Sequence, residues 1–149
     1  MPIIPQNIIS IGDLAFASSN ITNTSFSEIA TSQSQLTTVG ASAFSGCTGL
    51  TGSLDLYESN ITKLYTNAFF GTELTNLTLP LKLSEEGCFG NGDWPDTLDS
   101  LFLPGVKVLK KGMITLFRGS TLIFTGLMGY SREVNNLRKI EANALLGTY

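Results

Sequence analysis

The sequence predicts a solenoid of stacked coils, with short parallel strands on one face and turns and irregular returning segments on the other. Three periodic frames carry that expectation. The first is an apolar residue, three variable positions and then Ala-Phe. It stands as Ile11…Ala15-Phe16, Val39…Ala43-Phe44 and Leu64…Ala68-Phe69, and in weaker form as Ser84…Cys88-Phe89, Val108…Gly112-Met113 and Ile140…Ala144-Leu145. Its starts lie 28, 25, 20, 24 and 32 residues apart, the step of one supersecondary unit per repeat. The second frame is apolar-x-x-apolar-x-apolar-Pro, seen as Leu74, Leu77, Leu79 and Pro80 and again as Leu98, Leu101, Leu103 and Pro104. Period-two alternation over so few residues, closed by a proline that cuts pairing short, marks a half-buried strand. The third frame is an apolar pair ahead of each Ala-Phe turn.

Taken in chain order, Ile3, Ile4 and Pro5 match the end of a strand frame, and Ile8 with Ile11 forms the first returning segment into the first Ala-Phe turn. Ile21, Thr24, Ser25 and Phe26 are a degenerate strand frame. Leu36 and Val39 return into the second turn. The strand at Leu50, Leu54, Asp55 and Leu56 carries one extra residue, and Ile61 with Leu64 leads into the third turn. The two regular strand frames follow. Val106 and Val108 then return, Leu122, Ile123 and Phe124 keep the last half of a strand, and Leu137 with Ile140 returns again. No single coil buries its apolar side alone, so coils stack and each covers its neighbour. Strands of adjacent coils then lie about 4.8 Å apart. The alanine lets the backbone pass close, and the phenylalanine fills the space beneath it. The 149 residues thus read as one domain, residues 1–149, of five to six coils.

Composition agrees with a packed fold and excludes several function classes. Hydrophobic residues make up 42% and charged residues 14%, too few charges for disorder. Lys plus Arg number 9 against 12 Asp plus Glu, a net charge of −3, so no overall field draws the chain to nucleic acid. Histidine is absent, which removes Ser-His-Asp and Cys-His nucleophile systems, histidine-bound zinc and haem, and the usual base near neutral pH. No phosphate loop or nucleophile-base pair is visible, so the chain is expected not to be an enzyme and to need no cofactor. Cys47 and Cys88 are too few for a disulfide scaffold and lack zinc spacing; they are expected as free thiols. No apolar run reaches membrane-spanning length, and the amino terminus lacks the pattern of a secretory signal.

Ala-Phe followed by Gly-Cys (Phe44-Ser45-Gly46-Cys47), joined to an L-x-x-L-x-L-P strand, resembles the BspA-like leucine-rich repeat family. The resemblance covers nearly the whole chain and is strongest over residues 36–80. It implies a leucine-rich-repeat solenoid at the cell surface or secreted, acting in adhesion or host-protein binding. Both ends of the sequence cut through the repeat without an amphipathic cap, which points to a piece of a longer array or to end-to-end stacking.

The two-residue period names the strand residues that face away from the core. The central row is Ser25, Asp55, Thr78, Phe102 and Ile123; beside it run Asn23, Ser53, Asn76, Ser100 and Thr121, with Tyr57 at the far edge. Ser25, Asp55, Tyr57, Asn76, Thr78, Phe102 and Ile123 are the candidate binding face. Phe102 and Ile123 stand out as an apolar pair on an outward row. Either they anchor a partner, in which case changing both to serine leaves the fold intact, or residues 125–136 fold over them.

Other features read more plainly. Glu85, Glu86, Asp93, Asp96 and Asp99 do not match a calcium-loop spacing and are expected as a solvated turn, so no metal site is assigned. Residues 1–106 carry a net charge of −8 and residues 107–149 one of +5, a polarity compatible with head-to-tail association. Asn20, Asn23, Asn60 and Asn76 each begin an Asn-x-Ser/Thr sequon, and a glycan at Asn76 would block the ladder face. The expected function is a non-enzymatic binding module for a protein or glycan partner. The alternative is a structural subunit that docks end to end in a larger assembly.

Overall fold

The computed structural model describes residues 3–83, 94–104, 108–109, 119–123 and 139–140. Every strand pair among them is parallel, because successive coils wind in the same sense. In chain order the strands are β1 (Ser10–Ile11), β2 (Thr38–Val39), β3 (Thr51–Asp55), β4 (Lys63–Leu64), β5 (Glu73–Thr78), β6 (Ser100–Phe102), β7 (Val108–Leu109), β8 (Thr121–Ile123) and β9 (Lys139–Ile140). They form a longer ladder β3-β5-β6-β8, a shorter one β1-β2-β4, and the pair β7-β9. The leucine-rich-repeat solenoid expected from the sequence is therefore present. The returning segments, expected to be irregular, contribute two-residue strands of their own.

Apolar residues repeat in register down the stack. Ile11, Val39 and Leu64 pair across the short ladder and are buried. Leu54, Leu77 and Leu101 pair across the long one and are also buried. Between the ladders the Ala-Phe rings stack: Phe16 and Phe44 have centroids 5.6 Å apart, Phe44 and Phe69 5.5 Å, with planes within 3° and 12° of parallel. Phe26 tilts against both Phe44 (4.9 Å) and Phe69 (6.2 Å), within the favourable range for ring pairs. Phe44 and Phe69 are 0% and 3% exposed, as the frame requires of its core positions.

The Ala-Phe turn has a backbone signature that recurs coil after coil. Leu14, Ser42 and Asn67, each two residues before the phenylalanine, have φ of 60°, 55° and 60°. Ser18, Gly46 and Gly71, each two residues after it, have φ of 56°, 74° and 77°. Two left-handed residues per turn reverse the chain within a short arc, at a position where glycine carries no Cβ penalty. Alternate amides then bond to the next coil: Leu14, Phe16 and Ser18 N–H donate to the carbonyls of Ala41, Ala43 and Ser45 at 2.7–3.0 Å. Ser42, Phe44 and Gly46 N–H donate in turn to Thr66, Ala68 and Phe70 at 2.8–2.9 Å. Gly40 keeps this approach open, since a Cβ there would lie 2.6 Å from the backbone of Asp13.

Two local features differ from the sequence-based expectation. Residues 23–26 form a 3-10 helix (Asn23–Phe26), not a degenerate strand, and Thr22 N–H donates to Ser25 Oγ at 3.1 Å across its first turn. Polar residues that bond their own backbone favour such a turn over an extended strand. The surplus residue expected in β3 lies instead in β5. The register shifts between Gly52 and Ser53, where six residues of β5 face five of β3. Thr75 is the unpaired residue, and its Oγ1 donates to the Gly52 carbonyl at 3.2 Å.

Candidate binding surface

The long ladder sets out its surface in rows. Ser53, Asn76, Ser100 and Thr121 are successive Cα partners across β3, β5, β6 and β8, and all four are exposed or half-buried. The next row is Asp55, Thr78, Phe102 and Ile123, again in register. From β3 to β8 both rows follow the sequence-based alignment, because leucines Leu54, Leu77 and Leu101 between them turn inward and fix the phase; Asn23 and Ser25, which head those rows in the sequence, lie on no strand. The first row offers only hydroxyls and an amide, with Asn76 Nδ2 donating to Ser53 Oγ at 3.1 Å. Such a surface offers hydrogen-bonding groups and carries no formal charge of its own.

The second row is open at Asp55 and covered further on. Thr78 and Phe102 are buried, Phe102 at 6% exposure, and neither belongs to the hydrophobic core cluster between the ladders. Alternation along a strand fixes which side a residue faces and says nothing of what covers that side. The covered alternative for Phe102 therefore matches its burial; residues 125–136, assigned that role from the sequence, lie outside the described residues. Ser25 is also buried, since it sits inside the 3-10 helix and not on a strand. Asp55 remains exposed, and its Oδ1 accepts from Tyr57 N–H at 2.9 Å, which places half-buried Tyr57 directly after β3. Of the seven candidate residues, Asp55, Tyr57 and Asn76 are thus accessible together; Ile123 pairs with Phe102 along the backbone.

Asn23 has a role that the row pattern concealed. Its Nδ2 donates to the carbonyls of Thr51 and Ser53 at 2.8 and 3.0 Å, and its Oδ1 accepts from Thr51 N–H at 2.9 Å. The side chain continues the ladder past β3 in the place a strand would take, and satisfies an edge that would otherwise be open. Asn60 does the same between returning segments, donating to Ser32 and Ser34 carbonyls at 2.9 and 2.7 Å. An amide with two donors matches two successive carbonyls of a neighbouring coil. Asp99 holds Ser120 by accepting from its amide at 3.3 Å and its hydroxyl at 2.9 Å.

Among the described residues no three His, Cys, Asp or Glu side chains gather to hold a metal ion. Glu85, Glu86 and Asp93 of the acidic cluster lie outside those residues; Asp96 and Asp99 are exposed. Cys47 is a free, buried thiol whose Sγ donates to the Phe16 carbonyl at 3.0 Å, and Cys88 lies outside the described residues. No helix among the described residues is long and apolar enough to cross a membrane.

A family model for the BspA-type leucine-rich repeat region matches residues 23–104, more than half of the chain, in 6 copies. No curated protein and no solved structure matches. The matched span contains the second and third Ala-Phe turns and β2 to β6, the region where both ladders and the ring stack are laid out. Such solenoids are typically non-enzymatic scaffolds for protein interaction, built from repeats. Repeat frame, parallel ladders and family match agree: the chain belongs to the BspA-type leucine-rich repeat family.

Proposed function

We propose that the chain is a recognition module whose long-ladder face binds a protein or glycan partner at a cell surface, in the manner of adhesion. The observation that carries this is the in-register row Ser53, Asn76, Ser100 and Thr121, accessible across four strands. Hydroxyls and an amide at strand spacing suit the polar groups of a sugar or of a peptide backbone. Asp55 and Tyr57 extend the row at one margin with a carboxylate and a ring. Family resemblance supports a secreted or surface location. The test is binding of the purified chain to immobilised surface glycoproteins before and after enzymatic deglycosylation, with Asn76→Arg and Ser100→Arg as variants. Loss of about tenfold or more in both variants supports this face. Binding that survives deglycosylation assigns the partner to protein; binding that survives both substitutions moves the site elsewhere.

A second reading, end-to-end self-association, has its own observation. Ile9 and Leu14 are each 63% exposed on the first coil, where a neighbouring coil would cover them. Among the described residues, the Asp13, Ala15 and Ala17 carbonyls accept no bond, although their counterparts Ala41, Ala43 and Ser45 each accept one from the coil before. Size-exclusion mass at two concentrations, with and without Leu14→Glu, tests it. A concentration-dependent mass abolished by the substitution supports stacking; one mass throughout removes it.

A further inference from the structure

We infer that Asn20 is the one N-glycan acceptor the fold accommodates, that the sequons at Asn23 and Asn60 are structural amides, and that the Asn76 amide is engaged within the ladder face. This goes beyond the recognition surface and does not depend on it. In N-glycosylation the asparagine Nδ2 attacks the anomeric carbon of a lipid-linked oligosaccharide. The new N–C bond forms as the bond from that carbon to the pyrophosphate oxygen breaks. The lipid pyrophosphate leaves, and one amide proton is lost. The product keeps a single N–H. An asparagine that uses both N–H groups in the folded chain must therefore give up a hydrogen bond, and must hold a sugar where a carbonyl stood.

Asn23 and Asn60 each use both. Asn23 donates to Thr51 and Ser53 carbonyls, and Asn60 to Ser32 and Ser34 carbonyls, all at 2.7–3.0 Å. In each case the acceptors belong to a neighbouring coil, so a glycan would occupy the seam between coils. Asn60 also accepts from Lys82 Nζ. Asn76 is half-buried, and its Nδ2 donates to Ser53 Oγ at 3.1 Å and Thr75 Oγ1 at 3.4 Å within the ladder face. Asn20 differs from all three. It is exposed, lies between the first Ala-Phe turn and the 3-10 helix, and among the described residues its side chain makes no hydrogen bond. Its sequon is complete, Asn20-Ile21-Thr22.

The experiment expresses the full chain through the secretory pathway of an insect-cell host and maps site occupancy by enzymatic deglycosylation in heavy-oxygen water with peptide mass spectrometry. The folded, secreted protein is expected to carry one glycan, at Asn20, and Asn20→Gln is expected to be secreted with no glycan mass. In unglycosylated bacterial protein, Asn20→Gln is expected to leave the urea midpoint unchanged while Asn23→Gln lowers it. A glycan on Asn23, Asn60 or Asn76 of folded material, or an unoccupied Asn20, overturns the inference. So does an Asn23→Gln protein as stable as the native chain.

Discussion

The turn side and the ladder side of each coil solve the same stacking problem by different means. On the turn side the geometry is set by the backbone: two left-handed residues, a small alanine, and alternate amides that reach the next coil. Side chains there are constrained because the coils pass so closely, as at Gly40. On the ladder side, strands of three to six residues hold the register, and the accessible outward positions are serine, threonine, asparagine and aspartate. Close coil-to-coil contact thus concentrates around the Ala-Phe turn, and the accessible row of Ser53, Asn76, Ser100 and Thr121 lies apart from it. That separation explains how one repeat frame supports surfaces of different specificity.

Substitutions on the two sides should break the molecule unequally. Phe44 touches three other rings and is fully buried, so Phe44→Ala is expected to cost about 4 kcal/mol in urea melts. A loss below about 1 kcal/mol would mean that the ring stack does not hold the coils. Phe102→Ser on the ladder sharpens the comparison, because this outward residue is buried; about 3 kcal/mol is expected, and an unchanged melt would show that its cover contributes nothing.

Gly40→Ala should cost about 2 kcal/mol through the 2.6 Å clash with Asp13, whereas Gly12→Ala, at the same frame position, meets nothing within 4 Å. Equal effects at the two glycines would remove coil-to-coil crowding as the cause. Smallest of all, Asn76→Ala on the accessible row should shift stability by no more than about 0.5 kcal/mol while weakening partner binding. A large loss of stability there would place Asn76 with the structural amides and outside recognition.

The fold was legible because its determinants are periodic. Ala43-Phe44 and Ala68-Phe69 lie in the core, and the rows through Asn76 and Ser100 pair as the leucines indicate. What escaped the sequence were features that depend on a neighbouring coil. Thr22 and Ser25 favour a local hydrogen-bonded turn, yet Asn23 within it completes the ladder from its side chain, so the segment works as an edge without being a strand. Phe102 faces outward by period and is buried by packing, a distinction that alternation alone does not encode. Leu14 shows the same limit: nothing in a leucine foretells a φ of 60°, whereas Asn67 and Gly71 at turn positions do suggest one.

The direction of the turn bonds gives the Ala-Phe side of the first three coils an electrical axis. Leu14, Phe16, Ser18, Ser42, Phe44 and Gly46 all send their amides toward the next coil, and the carbonyls that receive them all face the coil before. Their peptide dipoles therefore add along these turns, with the negative end at the first coil, while bonds on the other sides of the coils, such as Thr37 N–H to the Ile9 carbonyl and Glu73 N–H to the Leu50 carbonyl, point the opposite way. The formal charges are uneven over the whole sequence, −8 over residues 1–106 and +5 over residues 107–149. Two chains meeting acidic end to basic end bring opposite charges together, and two meeting by like ends bring like charges together. In any stacking of this chain, that charge asymmetry favours a polar, open-ended row over a closed pair.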